Sequence, residues 1–412
     1  MSNSVLLSAD APRTEGVLRD ALAQTEGVPF YQAERWQKAL AGLPTELAAL
    51  PRVSKAELRE HSPQGFLRQG WDLRTLEQAG LIEEESTSGT SGAAVRVIFG
   101  KTWWAEQEHR ALQADALIAS VLAEQPEARR AVLTTPGCSG VSCFARWLSA
   151  EQRTLGTTLF VNQARIPFSL AEGKLAQMAA EISGWQPAFL DVDPVHGAWF
   201  ALYCERQGLR FPSLRFILTS YEYASVAHRR IMERVFGVPV INLYGSSETG
   251  HLLIGQAGGG MRASEDTAIL ELADLGPQGV GQLLVTTLTN PYLPLVRYEI
   301  GDYAERQGDT WQVHGRVRDA LRSAEGRTLT TRMVDQTFED LLGIAHYQLR
   351  QNRDGQAELV LVPETTGDEL SAVRRTAEAR LSALLGHPVT SRTSPLIPPE
   401  DSGKFRLTVR EA

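Results

Sequence analysis

Seven consecutive small or hydroxylated residues form the clearest chemical motif of the chain: Ser86-Thr87-Ser88-Gly89-Thr90-Ser91-Gly92. Small side chains let a backbone approach a polyphosphate closely, and its N–H and hydroxyl groups can donate hydrogen bonds to the phosphate oxygens. The Gly-Lys-Ser/Thr ending of a Walker A loop is missing. A flexible Ser/Gly linker has the same composition. Taken alone, the motif therefore indicates either a phosphate-binding loop or a linker.

A second motif, Tyr244-Gly245-Ser246-Ser247-Glu248-Thr249, directly follows an apolar run that is typical of a β strand, Val238–Leu243. An aromatic ring can stack on a nucleotide base, a hydroxyl can hold a phosphate oxygen, and a carboxylate can bind Mg²⁺. An ordinary turn between a strand and a helix, with Glu248 in the first helical turn, would explain the same residues.

Charged residues nearer the C-terminus complete the set of candidates. Asp302 could accept hydrogen bonds from both hydroxyls of a ribose, and Arg316 could donate to the sugar or to a phosphate. Lys404 follows a glycine in the sequence Asp-Ser-Gly-Lys-Phe-Arg. Each of these residues, considered separately, is also typical of a solvated charge at a turn.

Four segments therefore carry candidate residues: the Ser/Thr/Gly loop, the motif that begins at Tyr244, the segment with Asp302 and Arg316, and the segment with Lys404. In this order, these four motifs resemble the signature of the adenylate-forming superfamily. It comprises acyl- and aryl-CoA synthetases, the adenylation domains of peptide synthetases, and luciferase. The chain is most similar to the phenylacetate-CoA ligase-like branch, in which a segment like Pro51–Arg59 precedes the Ser/Thr/Gly loop. Ser220-Tyr221-Glu222 stands where that branch has a small residue and Glu before its Tyr-Gly-x-x-Glu motif. The resemblance extends from about Pro51 to Lys404.

The resemblance implies an AMP-forming carboxylate ligase that uses ATP and Mg²⁺. In such an enzyme the Ser86–Gly92 loop would hold the β- and γ-phosphates. By the same resemblance, Tyr244 would stack on adenine, Ser247 would bind the α-phosphate and Glu248 would bind Mg²⁺. Asp302 would bind the ribose hydroxyls with the support of Arg316. The resemblance also assigns Glu222, Gly245 and Ser246 to the nucleotide site.

The same resemblance implies that Lys404 bridges the substrate carboxylate and the α-phosphate, and that Asp319 is the hinge of a mobile domain. Adenylation brings two anions together, so its catalysis consists largely of positioning and charge neutralisation. A lysine is a compact point charge on a flexible stem. When a closing domain carries it, chemistry is coupled to substrate binding.

The substrate is expected to be a small carboxylic acid. By resemblance it lies against Cys138, Tyr221 and Tyr223, which would favour a flat aromatic acid. Packing in the core would explain these three residues equally well. The stretch after the Tyr-Gly motif has no cysteine in His251–Glu265, so we expect no zinc.

The acyl acceptor is less defined. CoA is the leading expectation, but the segment after Asp319 departs from the family pattern that helps to build the CoA half of the site. Transfer to an amine or to a carrier-protein thiol therefore remains open. So does an acyl-protein synthetase, which would require a long apolar pocket. A non-catalytic nucleotide-binding regulator is the alternative from another class, although the presence of both Glu248 and Lys404 argues against it.

The elements that position these motifs predict an α/β fold. Residues 1–80 have helical patterns, and strands alternate with helices up to residue 243. Thr267–Leu272, Gln282–Thr287 and Thr310–Val313 predict a β subdomain. Residues 1–318 are expected to form a large adenylation domain of α/β subdomains and this β subdomain. Residues 319–412 are expected to form a small, mobile α+β lid that carries Lys404.

Three local signals predict individual elements. Val226–Phe236 is typical of a helix that ends at Gly237. Asp354-Gly355, between two apolar runs, predicts the turn of a β-hairpin. The apolar residues between Leu370 and Leu384 have helical spacing and predict a helix that ends at Gly386.

Composition excludes several classes. The chain has 412 residues, 43% of them hydrophobic, which predicts a globular core. A net charge of −8 argues against general nucleic-acid binding. Three cysteines do not suggest a disulfide framework, and the N-terminal residues do not resemble a signal peptide, so we expect a cytoplasmic protein that does not bind membranes. Family members are monomers or homodimers, and the sequence does not distinguish these states.

Overall fold

The computed structural model describes residues 11–42, 46–86, 94–133, 148–161, 167–264, 266–276 and 278–411. The helices are α1 (Ala11–Ala23), α2 (Glu34–Ala41), α3 (Lys55–His61), α4 (Leu73–Gln78), α5 (Trp103–Gln113), α6 (Ala116–Glu124), α7 (Glu172–Trp185), α8 (Pro194–Arg206), α9 (Val226–Phe236), α10 (Thr331–Gln336) and α11 (Gly367–Leu385). The strands are β1 (Ile82–Ser86), β2 (Arg96–Gly100), β3 (Arg130–Val132), β4 (Thr154–Leu155), β5 (Thr158–Phe160), β6 (Phe189–Val192), β7 (Phe216–Thr219), β8 (Val240–Ser246), β9 (Gly250–Gln256), β10 (Arg262–Ala263), β11 (Ala268–Ala273), β12 (Gly281–Thr287), β13 (Tyr298–Gln307), β14 (Thr310–Arg316), β15 (Leu321–Arg322), β16 (Thr328–Leu329), β17 (Ile344–Gln351), β18 (Ala357–Pro363), β19 (Val389–Thr393) and β20 (Thr408–Arg410).

The chain folds into two compact units, and each is assembled from separated segments. The first contains Met1–Asp115, Tyr244–Ile254 and Arg262–Val313; the second contains Ala116–Leu243, Gly255–Met261 and His314–Ala412. The mixed α/β fold expected from the sequence is confirmed. The functional boundary between residues 318 and 319 stays a prediction.

In the first unit, the three strands predicted between residues 267 and 313 correspond to β11, β12 and β14, and with β13, which was not predicted, they form a sheet in the order β11-β12-β13-β14. β11 pairs antiparallel with β12, and β12 with β13. An aromatic cluster contributes much of the core: Phe30 stacks on Phe66 with ring centroids 4.5 Å apart, and Tyr31 meets Trp36 edge-on at 4.8 Å. Offset and edge-on aromatic pairs add to the stabilisation that burial provides.

Distant parts of the chain meet in this unit. The Tyr31 hydroxyl donates to the Pro294 carbonyl at 2.8 Å and accepts from the Val296 N–H at 3.1 Å. Val53 forms a bridge to the start of β13, since its N–H donates to Arg297 O and its carbonyl accepts from Glu299 N. The segment before α3 is thereby fixed beside β13.

The second unit contains a mostly parallel sheet in which β8, β7, β6, β3 and β5 are neighbours, with the short β4 antiparallel at its edge. All four residues of β7 are buried, as expected for a central parallel strand covered on both faces. Helices α7, α8 and α9 supply apolar side chains to the same core cluster, including Met178, Phe200 and Ile231.

Local signals define α8 and α9. Asp193 caps α8 by accepting from Val195 N, and Pro194 occupies the first helical turn. α9 has the bounds that the sequence predicts and ends at Gly237, whose φ of 69° is a left-handed conformation that favours glycine. A Cβ on Gly197 would lie only 2.6 Å from Val192 Cγ2, so glycine permits this close approach of α8 to the sheet.

A second sheet in this unit has the order β19-β18-β17-β20. β17 and β18 form the antiparallel hairpin predicted around Asp354-Gly355. α11 packs its buried face on the sheet and ends at Gly386, as predicted. The buried Asp335 on α10 accepts from the Val226 N–H at the start of α9 and from the Tyr347 hydroxyl on β17. Within the described residues, no helix is both long enough and apolar enough to cross a membrane.

Candidate active site

The first unit brings Tyr244 and Asp302 together. Tyr244 lies in the second half of β8 and Asp302 lies on β13, and the Tyr244 hydroxyl donates to Asp302 Oδ2 at 2.7 Å. Asp302 is buried. An aromatic ring and a carboxylate, the two groups assigned to adenine and ribose in the sequence analysis, are thus adjacent, and their binding roles stay predictions.

Glu248 lies in the same unit and is almost completely buried. The Lys55 ammonium is 3.1 Å from Glu248 Oε1, and the Tyr298 hydroxyl donates to the same oxygen at 3.3 Å. Burial alone would raise the pKa of Glu248, but the Lys55 charge and the hydrogen bond from Ser246 outweigh it and lower this pKa. The carboxylate is therefore ionised at neutral pH and has the chemistry to bind a hard cation.

β8 continues through Gly245 and Ser246, and residues 247–249 form the turn that leads to β9. A Cβ on Gly245 would lie 2.1 Å from the Gly250 carbonyl oxygen, so this position requires glycine. The hydroxyls of Ser246 and Thr249 are 3.0 Å apart. Ser247 Oγ is 3.5 Å from Glu85 Oε1, a long hydrogen bond to the strand that ends at the exposed Ser86. Ser86, the first residue of the predicted phosphate loop, therefore directly follows Glu85, the residue that contacts Ser247.

In the second unit, Lys404 lies beside Tyr221. The Lys404 Nζ is 5.3 Å from the centroid of the Tyr221 ring, within the range of a cation–π interaction. Tyr221 has a φ of 79°, which is uncommon for a residue with a side chain, and 54% of its surface is exposed. Strained, exposed residues of this kind concentrate at functional sites.

Glu222 contacts the residue that follows Lys404. Glu222 Oε2 accepts from the Phe405 N–H at 2.6 Å. Burial and the neighbouring charge of Asp193 raise the pKa of Glu222 well above its ordinary value. Although burial opposes it, the charge of His196 and the hydrogen bonds from His196 and Glu222 lower the pKa of Asp193. The pKa values of these two neighbouring carboxyls are therefore shifted in opposite directions, that of Glu222 upwards and that of Asp193 downwards.

The predicted hinge residue is held by arginines. Asp319 is buried, and Arg406 Nη2 lies 2.5 Å from its Oδ1 while Arg318 Nε lies 3.4 Å away. Burial raises the pKa of Asp319 in spite of both cations. Arg318 also contacts Glu400 at 2.8 Å. Residues on both sides of the predicted hinge are thus linked to the segment that carries Lys404.

The remaining predicted residues have simpler environments. Arg316 is half-buried at the end of β14. Tyr223 is half-buried and packs against the apolar cluster beside Phe338 and Tyr347. Cys138 and Thr87, Ser88, Gly89, Thr90, Ser91 and Gly92 lie outside the described residues. Their roles, like the other assigned roles, stay predictions.

Sequence reasoning did not select Lys55, Asp193 or Phe405 as site residues. Lys55 is the first residue of α3, directly after the N-cap Ser54, whose side chain and N–H exchange hydrogen bonds with Glu57 in a capping box. That motif predicts a helix start, but it carries no information about Glu248. Asp193 followed by proline likewise predicts an N-cap and not a carboxyl pair.

Within the described ranges, no group of three or more His, Cys, Asp or Glu side chains is arranged to hold a metal ion. A magnesium ion does not require such a group, because it commonly binds through one or two carboxylates together with substrate phosphates.

No protein-family model matches the sequence, and no curated protein matches it. Solved structures, however, match it over nearly its whole length. 2-Hydroxyisobutyryl-CoA ligase in the postadenylation state, in complex with R3-HIB-AMP, has a TM-score of 0.70 at 18% identity, covering 98% of this chain and 91% of that chain. The same ligase with 2-HIB-AMP and CoA, in the thioesterification state, has a TM-score of 0.57 at 17% identity over the same shares of both chains.

The anthranilate CoA ligase AuaEII in complex with anthranoyl-AMP has a TM-score of 0.58 at 16% identity, covering 96% of this chain and 79% of that chain. Identities this low establish the fold. The resemblance found in the sequence motifs is confirmed at the level of the fold: this chain has the fold of these solved CoA ligases.

Proposed function

We propose that the protein is an AMP-forming ligase that activates a small carboxylic acid with ATP and then transfers the acyl group, with CoA as the acceptor. The observation that carries this proposal is the double link between β13 and the motif that begins at Tyr244. Tyr244 pairs with Asp302, and Glu248, four residues after Tyr244, pairs with Tyr298, four residues before Asp302. A base-stacking ring, a ribose acceptor and an ionised carboxylate are thereby fixed in one unit.

In the first half-reaction, a carboxylate oxygen of the acid attacks the α-phosphorus of ATP. The bond from this phosphorus to the oxygen that bridges to the β-phosphate breaks, and pyrophosphate leaves. Tyr244 and Asp302 hold the nucleoside, and the hydroxyl of Ser247 binds the α-phosphate. Lys404 neutralises the charge between the two reacting anions. Gly245 and Ser246 shape the turn, while Ser86–Gly92 and Arg316 contribute donors to the phosphates and sugar.

The site fits a magnesium ion at Glu248. The carboxylate is buried and ionised, and the Lys55 ammonium beside it marks a position where a cation is stabilised. When bound, the metal would supply positive charge to the polyphosphate and so stabilise the leaving pyrophosphate. Oxygen chemistry of this kind suits Mg²⁺ better than a soft metal.

In the second half-reaction, the CoA sulfur attacks the acyl carbon of the adenylate. The bond from this carbon to the phosphate oxygen breaks, AMP leaves, and the thiol proton passes to solvent. Residues 319–412 are proposed to move as a lid about Asp319 between the half-reactions. Tyr221, Tyr223 and Cys138 favour an aromatic acid, and one of the matched ligases is named for anthranilate. An amine or a carrier-protein thiol is the alternative acceptor.

Acid-dependent pyrophosphate release tests the proposal. The wild-type protein is incubated with ATP, Mg²⁺ and one acid from a panel that includes anthranilate, benzoate, phenylacetate and 2-hydroxyisobutyrate, with and without CoA. Repeated turnover that requires CoA supports the ligase. A single turnover that CoA does not extend points to an amine or carrier-protein acceptor. ATP binding without pyrophosphate release on a broadened acid panel would instead favour a nucleotide-binding regulator.

A further inference from the structure

The peptide group that joins Lys404 to Phe405 is restrained by hydrogen bonds at both of its polar atoms. Its carbonyl, that of Lys404, accepts from the Glu400 N–H at 2.9 Å, in a turn that the Gly403 N–H closes by donating to the Glu400 carbonyl at 2.8 Å. Its N–H, that of Phe405, donates to Glu222 Oε2 at 2.6 Å. Glu222 is thus the side chain that fixes the chain immediately after the lysine.

The Phe405 ring reinforces this restraint. It is buried and meets Phe168 at 5.7 Å and His346 at 5.4 Å, both edge-on. It also lies 6.3 Å from the ring of His196, on the helix that Asp193 caps. The peptide hydrogen bond to Glu222 and the buried ring act on the same residue, so Lys404 projects from a fixed point of the backbone.

Glu222 is itself held in place by Asp193. Asp193 Oδ1 accepts from the N–H groups of Val195 and His196 at the start of α8, where negative charge is favoured. The side chains of Asp193 and Glu222 are within hydrogen-bond reach of each other, and Glu222 Oε2 accepts from the Phe405 N–H. Charged or titratable groups near the pair are Lys404, His196, His228 and His346.

Tyr221 supplies a further contact from the same segment. The left-handed backbone of Tyr221 presents its ring to the Lys404 ammonium. Tyr221 thus contacts the side chain of Lys404, while the next residue, Glu222, restrains the backbone just after this lysine. Two consecutive residues therefore restrain Lys404 by independent interactions: Glu222 holds the N–H of the Lys404–Phe405 peptide group, and Tyr221 contacts the ammonium.

We infer that Glu222, supported by Asp193, is a positioning residue for Lys404 and not a ligand of the nucleotide. The effect of this positioning on catalysis rests on the proposed function, whereas the structural restraint of Lys404 by Glu222 does not. Glu222 would act in the adenylation half-reaction, in which Lys404 is used, and not in the transfer of the acyl group.

Limited proteolysis tests the positioning without any substrate. Trypsin cleaves after Lys404 only when the Lys404–Phe405 bond leaves its hydrogen-bonded, buried position. We expect Glu222→Ala to accelerate the appearance of peptides that end at Lys404 by about tenfold, the fold-change that corresponds to the loss of one hydrogen bond worth about 1.4 kcal/mol. Glu222→Gln, which retains an acceptor for Phe405 and a donor for Asp193, should be cleaved at the wild-type rate.

The exposed Glu172→Ala variant in the first turn of α7 is the matched control. Faster cleavage at Lys404 alone supports the inference. If Glu222→Ala is cleaved after Lys404 at the wild-type rate, Glu222 does not restrain this bond and the inference is overturned. If cleavage is accelerated equally at tryptic sites throughout the chain, the substitution causes a general loss of structure, and the inference is likewise overturned.

A kinetic measurement then tests the catalytic meaning, with anthranilate and 2-hydroxyisobutyrate as probes. Glu222→Ala should slow adenylate formation about 10- to 100-fold with little change in the KM for ATP, and Glu222→Gln should restore the rate to within about threefold. Transfer from a chemically prepared acyl-adenylate to CoA should be unchanged. A raised KM for ATP with an unchanged kcat would make Glu222 a nucleotide ligand and refute the inference. If the wild type uses neither acid, the ligase proposal fails for these substrates, and the proteolysis result still decides the positioning.

Discussion

The hydroxyl of Tyr244 donates a 2.7 Å hydrogen bond to the buried carboxylate of Asp302. This bond joins the proposed adenine-stacking ring to the proposed ribose acceptor, so the nucleotide would bind to a pair that is already oriented. Pre-orientation of this kind reduces the entropy that is lost on binding.

Asp302→Ala should weaken ATP binding, since the ribose hydroxyls would lose a charged acceptor. A hydrogen bond to a charged group contributes about 1.5–3 kcal/mol, so the Kd for ATP should rise about 10- to 100-fold. Tyr244→Phe keeps the ring and should raise the Kd less. Isothermal titration calorimetry measures both changes. Asp309→Ala, at a fully exposed turn, is the control, and an unchanged Kd for Asp302→Ala would contradict the ribose assignment.

Lys404→Ala should reduce the rate of adenylate formation by at least about 100-fold, because charge stabilisation in a transition state is worth several kcal/mol. The Kd for ATP should remain within about threefold of the wild-type value. Pyrophosphate release in a single turnover measures the first quantity and calorimetry the second. Lys38→Ala, on an exposed position of α2, should behave as wild type. Substantial adenylation by the Lys404 variant would remove this residue from its proposed role.

Lys55→Met should destabilise the protein most at neutral pH. In the wild type the pKa of Glu248 is lowered, so the stability that this ion pair contributes is present above the unfolded pKa and is lost as the pH falls through the folded pKa. Without Lys55, burial would raise that pKa, and the carboxyl would oppose folding as the pH rises. We expect a loss of about 1–3 kcal/mol at pH 7. This is less than a fully buried pair would give, because the Lys55 side chain is 37% exposed.

Urea denaturation at pH 4 and pH 7 measures this difference. The loss of unfolding free energy should be clearly larger at pH 7 than at pH 4, and the exposed Lys101→Met should change neither value. Equal losses at the two pH values would indicate that Lys55 acts through packing instead of through the charge of Glu248.

Asp335 predicts a separate pH dependence of stability. Burial raises the pKa of this carboxyl from its ordinary 3.8 to about 6. Its contribution is therefore fully present below pH 3.8 and is lost as the pH rises through about 6, a total of about 3 kcal/mol. Asp335→Asn can still accept hydrogen bonds from Val226 and Tyr347 and does not titrate. The unfolding free energy of the wild type should thus fall, relative to Asp335→Asn, between pH 4 and pH 7.

Chemical denaturation in this pH range, with Asp354→Asn at the exposed hairpin turn as the control, measures the effect. Parallel pH profiles for the wild type and Asp335→Asn would show that the carboxyl titrates at its ordinary pKa in the folded protein.

The elements that carry strong local signals were predictable from the sequence. α9 has its predicted bounds because Ser225 caps its start and Gly237 adopts the left-handed conformation at its end. The β17–β18 hairpin follows from Asp354-Gly355 between two apolar runs. The expected position of Tyr244 beyond the apolar run of β8 is close to the observed one, although the strand continues to Ser246.

The contacts that give the candidate site its chemistry were not predictable in this way. Glu222 and Phe405 are 183 residues apart, and Lys55 and Glu248 come from separate segments. Periodicity and capping describe interactions within a few residues, whereas these pairs depend on the tertiary fold. The resemblance to a family pointed to Glu248 and Lys404. It did not identify Lys55 as the cation that favours the ionised form of Glu248, nor Glu222 as the side chain that positions Lys404.

The discontinuous composition of the first unit has a consequence for synthesis on the ribosome. Tyr31 makes its buried hydrogen bonds to Pro294 and Val296, and Val53 pairs with the start of β13. The aromatic residues near the N-terminus must therefore wait for some 260 residues to be translated before their native partners exist. Closure of such long loops is slow and leaves apolar surface exposed. The nascent chain is consequently expected to depend on holding chaperones until β13 has left the exit tunnel.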